Sequence, residues 1–202
     1  MADELAIACS ELILGGQRSG KSRRAESLAL AWLAQSPQHQ AVLIATAQPW
    51  DDEMRERIAR HQQDRAERAP RMQTVEEPLQ LAQALLRHSQ PHTLVVVDCL
   101  TLWLTNLLMP AENLENDQKK ALNMPLAQYI RAQAAIILIA IEKTDGPVVL
   151  VGNEIGLGVI PLGRETRAFV DALGRLNQDV AKVCDRVTFM AAGLPLTLKG
   201  QP

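Results

Sequence analysis

The glycine-rich run Gly15-Gly16-Gln17-Arg18-Ser19-Gly20-Lys21-Ser22 constrains this chain more than any other feature. It satisfies GxxxxGK[ST], follows the apolar run Leu12 to Leu14 and opens a helical pattern from Gly20 to about Gln35. Glycines let such a loop curl so that successive backbone N–H groups converge on phosphate oxygens, while the new helix points its positive end at the same anion. Lys21 adds a mobile cation, and the Ser22 hydroxyl is placed to ligand a Mg²⁺ ion bridging the outer phosphates. The competing reading is a glycine-rich turn between strand and helix that carries an incidental Lys-Ser pair.

A phosphate loop of this kind sits at the carboxyl edge of a parallel sheet, and the rest of the chain has the matching rhythm. Short β-branched and leucine runs (Leu12 to Leu14, Ala41 to Thr46, Thr93 to Asp98, Val148 to Gly152, Arg186 to Met190) alternate with longer helical patterns. The helices are predicted from Gly20 to about Gln35, Asp51 to about Arg65, Pro78 to about His88, Pro125 to about Lys143 and Arg164 to about Val183. They should cover both faces of the sheet. Gly193 and Pro195 punctuate the end, where Leu194 to Lys199 can turn back as an antiparallel edge strand. The polar stretch Ala111 to Asn123 reads as a solvated excursion.

With 202 residues the chain fits a single domain, residues 1–202, with the first ten as a flexible extension. Its 21 basic and 23 acidic residues leave no cationic footprint for a nucleic acid backbone. Cys9, Cys99 and Cys184 are sparse and widely spaced, with neither a zinc pattern nor a disulfide framework. The start of the chain lacks a secretory pattern, so the expected compartment is the cytoplasm. Ala132 to Ile141 is too short to span a bilayer and reads as a buried helix.

Two further positions invite a chemical reading. The strand Thr93 to Asp98 ends in a carboxylate that would lie at the sheet's carboxyl edge, where it can hold magnesium through water or act only as a solubilising strand end. On the helix beginning near Asp51, at about 100° per residue, His61 falls on the side of Met54 and Ile58 and is expected to point toward protein. Arg57 and Arg65 stand one turn to either side of it. Two guanidinium groups favour the neutral imidazole, which keeps a lone pair free for attack on phosphorus, and they also offer sites for phosphate. The competing reading is a boundary histidine that covers the edge of the core. His39, His88 and His92 have no carboxylate arrangement that reads as catalytic.

Together with the loop Gly15 to Ser22, an ordered series of motifs resembles the adenosylcobinamide kinase/adenosylcobinamide-phosphate guanylyltransferase family of cobalamin biosynthesis. The series comprises Ile44-Ala45-Thr46-Ala47, the helix Asp52-Glu53-Met54 to Arg65 with Arg57-Ile58 and His61, and Val75-Glu76-Glu77. It continues with Asp98-Cys99-Leu100-Thr101-Leu102-Trp103-Leu104-Thr105-Asn106, Asn153-Glu154-Ile155-Gly156-Leu157-Gly158 with Pro161, Arg175-Leu176-Asn177 and Gly193-Leu194-Pro195. The resemblance runs over nearly the whole chain from about Glu11.

It implies a RecA-like P-loop α/β fold, ATP or GTP with Mg²⁺, a corrinoid substrate (adenosylcobinamide) and a homotrimer. It implies phosphorylation of the corrinoid's aminopropanol hydroxyl, then transfer of GMP from GTP to that phosphate through a histidine phosphoramidate at the position of His61. By the same resemblance Ala45, Thr46, Ala47, Gln62, Gln63, Asp64, Arg65, Glu76 and Asp98 join the loop residues as nucleotide contacts. Arg60 stands where some relatives have a second histidine, and Gln17 where a small residue is common. A plain P-loop small-molecule kinase without a covalent intermediate, and a nucleotide-gated switch, are the alternatives.

Overall fold

The apolar runs assemble edge to edge into a seven-stranded sheet in the computed structural model, which describes residues 5–109, 125–158 and 160–201. In chain order the strands are β1 (Ser10–Gly15), β2 (Gln40–Ala45), β3 (Met72–Glu76), β4 (Thr93–Asp98), β5 (Val148–Val151), β6 (Arg186–Ala191) and β7 (Leu194–Lys199). They lie side by side as β3-β2-β4-β5-β1-β6-β7, and every pairing is parallel except that of β6 with β7. The expected antiparallel edge strand is therefore present. Its turn is made by Ala192 and Gly193, with φ of 52° and 81°, the backbone that a two-residue hairpin between twisted strands requires.

The helices are α1 (Lys21–Gln35), α2 (Asp52–Arg68), α3 (Leu81–His88), α4 (Leu100–Leu108), α5 (Leu126–Glu142) and α6 (Arg164–Val183). Strand alternation sorts the core into two layers. Leu12, Leu14, Val95, Val97 and Leu150 face α3 to α6, meeting Leu85, Trp103, Ile137 and Leu176. Ile13, Val96, Val149 and Leu43 face α1, meeting Leu28 and Leu33. Burying each such side chain stabilises the fold by about 1.5–3 kcal/mol. Helices on both faces of a mostly parallel sheet with an antiparallel edge strand meet the expectation of an α/β fold of this arrangement.

Two elements have no counterpart among the predicted ones. Strand β3 pairs with β2 at the sheet edge, and α4 follows β4 directly, in place of a loop. The expectation of a buried helix near Ala132 to Ile141 holds for one side only: Ile137, Ala140 and Ile141 of α5 are buried, whereas Ile136 and Ile139 are exposed. Of the ten residues read as an extension, Leu5 and Ile7 pack against the α1 layer and Ser10 begins β1. The Arg186 guanidinium also donates to the Ala6 carbonyl at 2.7 Å. The polar excursion Ala111 to Asn123 lies outside the described residues.

Candidate active site

The register of the parallel strands decides which residues meet at the sheet's carboxyl edge. Ala45 at the end of β2 stands beside Glu76 at the end of β3 and beside Asp98 at the end of β4. β5 separates β4 from β1, and β1 runs straight into the glycine loop. The carboxylate of Asp98 and the loop thus flank the end of β5.

Gly15 leaves β1 with φ of 153°, and a Cβ there would come within 2.5 Å of the Met190 carbonyl oxygen and 2.6 Å of Ser19 Oγ. No other residue fits that close approach. Arg18 and Gly20 also have positive φ, 57° and 100°, completing the curl that turns N–H groups inward. Gly16, Gln17 and Arg18 are exposed at the mouth, while Ser19 and Lys21 are buried. Lys21 Nζ donates to the Gly16 carbonyl oxygen at 2.5 Å and lies 3.5 Å from Ser19 Oγ. Burial holds its pKa below the usual lysine value, opposed by the carboxylate of Asp98. The loop bends back on the last hairpin, where the Gly193 N–H donates to the Ser19 carbonyl oxygen at 3.0 Å.

Thr46 is fully buried and serves as a bracket between strands: its hydroxyl oxygen accepts from the Cys99 N–H at 2.8 Å and its hydroxyl donates to the Cys99 carbonyl at 2.7 Å. The buried Asn106 amide donates to the carbonyls of Thr46 at 2.7 Å and Pro78 at 3.1 Å, so α4 fixes the segment Ala45 to Ala47. Asn106 is a missed residue whose signal was its place in the Asp98 to Asn106 motif. Cys99 and Cys184 are buried thiols pushed up to about 12, which keeps them protonated and inert.

Helix α2 starts at Asp51, whose carboxylate caps the Met54 N–H at 2.7 Å, with Asp52 and Glu53 in the first turn. Arg65 is its one buried residue. Met54 and Ile58 are half-buried and His61 is exposed, a departure from the expectation that it points into protein. The reason is that little of α2 is covered by packed core: besides Arg65, only Met54, Ile58 and Asp64 are even half-buried. Although its surface is exposed, the surrounding protein still costs the imidazole some hydration, and this, with the guanidinium groups of Arg57 and Arg65, holds His61 below its usual pKa against the pull of Asp98 and Asp64. The neutral ring therefore persists at pH values where an ordinary histidine would be half protonated.

The other expected contacts divide by position. Gln62 Nε2 donates to Glu76 Oε1 at 3.1 Å, joining α2 to β3. Arg68 of α2 pairs with Asp64 at 3.1 Å and with the buried Glu26 of α1 at 3.4 Å, tying the histidine helix to the helix that leaves the glycine loop. Gln63, two positions from His61, lies exposed on the other side of α2. Ser22 and Asp98 are half-buried, and among the described residues no hydrogen bond or ion pair engages the Asp98 carboxylate. A hydroxyl and a carboxylate are the hard oxygen donors that Mg²⁺ prefers, so this pair fits the ion.

A second group consists of residues quoted above in the motifs without a role. Beyond β5, the Glu154 N–H donates to the Gly15 carbonyl oxygen at 3.1 Å, and the Asn153 N–H donates to Thr101 Oγ at 2.8 Å. Asn177, buried on α6, donates to the Asn153 carbonyl at 3.0 Å. Cradle, acid and histidine thus share one edge of the sheet, and no helix among the described residues is long and apolar enough to cross a membrane.

Comparison with known proteins gives the same answer. Residues 11–198 match the model of the family described as cobinamide kinase / cobinamide phosphate guanyltransferase. The chain is 45% identical over 193 residues to the bifunctional adenosylcobalamin biosynthesis protein CobP of Pseudomonas aeruginosa, covering 95% of this chain and 98% of that one. It is 35% identical over 188 residues to the bifunctional adenosylcobalamin biosynthesis protein CobU of Escherichia coli, and equally to that of Salmonella typhimurium, in each case covering 93% of this chain and 98% of the other. A phosphate loop, a strand-end acid and an arginine-flanked histidine at one sheet edge suit a protein that moves both phosphoryl and nucleotidyl groups, and the chain belongs to the cobinamide kinase / cobinamide phosphate guanyltransferase family.

Proposed function

We propose that this bifunctional enzyme phosphorylates the aminopropanol hydroxyl of adenosylcobinamide with ATP or GTP, then carries GMP from GTP to the new phosphate on the imidazole of His61. In the second step a ring nitrogen attacks the α-phosphorus, an N–P bond forms, the bond to the bridging oxygen breaks and pyrophosphate leaves. An oxygen of cobinamide phosphate then displaces the imidazole, giving adenosylcobinamide-GDP and restoring the ring. Two displacements at phosphorus replace one between two anions. The observation that carries this reading is that the glycine loop, the Asp98 strand end and the histidine helix meet at one carboxyl edge of the sheet, with Gln62, next to His61, bonded to Glu76 at the end of β3.

Lys21 and the loop N–H groups would hold the triphosphate, and Arg57 and Arg65 would steady departing negative charge. Ser22 and Asp98 would hold Mg²⁺, which when bound offsets phosphate charge as a Lewis acid. Glu76, steadied by Gln62, suits the N1–H and amino edge of guanine. The trimer implied by the resemblance would cover the apolar row Leu194, Leu196 and Leu198, which β7 leaves exposed along an open strand edge. A biosynthetic role of this kind suits the cytoplasm.

The test is His61→Ala, assayed separately for the two steps. Transfer of GMP should fall by about 10³-fold or more while phosphorylation persists, because only the second step needs the ring. Equal transfer by variant and parent would eliminate the covalent role. In the parent, the depressed pKa predicts a sign for the pH response. The lone pair is lost only as pH drops through the lowered value, so the acid limb of GMP-adduct formation should lie below the ordinary 6.5. An acid limb above that value would contradict the proposed environment.

A further inference from the structure

The kinase step needs a group to take the proton of the corrinoid hydroxyl, and the carboxylates discussed under the proposed function have other tasks, Asp98 with Mg²⁺ and Glu76 with the base. We propose that Glu154 is that general base: its carboxylate accepts the hydroxyl proton as the hydroxyl oxygen bonds to the γ-phosphorus, the γ-phosphorus bond to the bridging oxygen breaks, and the nucleoside diphosphate departs. The inference rests on the cradle reading of Gly15 to Ser22 and deepens the phosphorylation step.

Position is the first argument. β5 lies between β1, which enters the cradle, and β4, which ends at Asp98, so the segment just past β5 emerges between the lysine loop and the strand-end acid. A γ-phosphate held by both would have this segment beside it. Its backbone is fastened on both sides: the Gly152 N–H donates to the Ile13 carbonyl at 2.9 Å, the Asn153 N–H to Thr101 Oγ at 2.8 Å, and the Glu154 N–H to the Gly15 carbonyl at 3.1 Å. Thr101 lies in the first turn of α4, next to the Asp98 strand end. The backbone of Glu154 is thus bonded directly to the first residue of the cradle.

Chemistry is the second argument. Glu154 Oε1 accepts from the Gly156 N–H at 3.0 Å, and Oε2 accepts a longer bond of 3.4 Å from Asn177 Nδ2. Two bonds leave acceptor capacity on a carboxylate, which has about four lone-pair sites. Asn177 is 3% exposed, and its amide, fixed also by the Asn153 carbonyl, aims Oε2 without neutralising it. Among the described residues no lysine or arginine forms an ion pair with Glu154. The other acids at this edge have other assignments: Glu76 is bonded to Gln62, and Asp98 would hold Mg²⁺. A half-buried carboxylate with a free lone pair beside the phosphate cradle is the arrangement general-base catalysis requires.

The experiment compares Glu154→Gln with the parent in both steps. The amide oxygen of glutamine still accepts from the Gly156 N–H, so the loop is kept while the proton acceptor is lost. Phosphorylation kcat should fall about 10²- to 10⁴-fold with KM for the nucleotide unchanged. GMP transfer to preformed cobinamide phosphate should be retained. Glu154→Asp should recover part of the kinase rate, and the acid limb of the parent's kcat profile should be absent from the glutamine variant. A glutamine variant with the parent's kinase rate overturns the assignment. Equal loss of both steps also overturns it, since that reports a structural role, and thermal melting with the aspartate variant identifies a simple folding defect. If instead the cradle reading is at fault, Lys21→Met will phosphorylate normally, a result independent of Glu154.

Discussion

Replacing Lys21 with methionine should abolish phosphorylation and GMP transfer together, by about 10²- to 10³-fold in kcat for each, the usual effect of removing one charge-stabilising donor. Both reactions start from a triphosphate seated in the same loop, and both build negative charge on bridging and terminal oxygens. The ammonium now engages the Gly16 carbonyl at 2.5 Å, a bond that phosphate oxygens would replace. The fold should survive, because Lys21 is 8% exposed and its pKa is already lowered by burial. A linear apolar side chain of similar length removes that desolvation penalty and keeps the helix propensity of the position. Steady-state rates of each step, with a melting curve of the variant, provide the check. Rates within tenfold of the parent would mean that the triphosphate does not lie over this loop.

The second large effect concerns stability. Trp103 of α4 is 1% exposed, lies among Leu81, Leu85 and Ile137 of the larger core layer, and donates its indole N–H to the Leu79 carbonyl at 2.9 Å. Trp103→Ala should cost about 3–5 kcal/mol, since neighbouring helices cannot close the gap completely. For a domain of this size that lowers the melting temperature by about 10 °C. Trp103→Phe retains most of the packing but leaves the Leu79 carbonyl without its donor, for about 1–3 kcal/mol. Urea midpoints for the pair separate the two contributions. A loss of less than about 1 kcal/mol for alanine would show that α4 is not anchored by this ring.

Helix α4 also shows why part of the fold was legible and part was not. The glycine loop reads plainly because its chemistry needs particular residues: only glycine tolerates the contacts at position 15. Strands such as β4, Thr-Leu-Val-Val-Val-Asp, are continuous β-branched runs buried on both faces, a signal that survives without knowledge of their neighbours. In α4, Leu-Thr-Leu-Trp-Leu-Thr-Asn-Leu-Leu is buried on nearly every side, so no polar face marks the helical period. Strand β3, Met-Gln-Thr-Val-Glu, fails in the opposite way: an edge strand with mostly exposed side chains has little apolar pattern to read.

The site divides similarly. Residues whose chemistry is local, Gly15 to Ser22, could be chosen from spacing. His61 could be chosen from its arginine neighbours, but not its exposure, because a helical wheel says which side faces inward and not whether that side meets core or cleft. Glu154 and Asn106 act through hydrogen bonds to residues remote in sequence, to Gly15 in one case and to Thr46 and Pro78 in the other. Such roles follow from the register of distant strands, which periodicity does not encode.

That remoteness has a temporal side. The loop is made near the beginning of the chain, yet β1 is flanked by β5 and β6, Ser10 is bonded to Asp185 across 175 positions, and Ser19 leans on Gly193 of the final hairpin. As the polypeptide emerges from the ribosome, these supports arrive well after the loop itself. Until β5, β6 and the β6–β7 hairpin have been made, the loop lacks these supports, so nucleotide capture is expected to follow their synthesis, and its free energy then acts on the whole sheet.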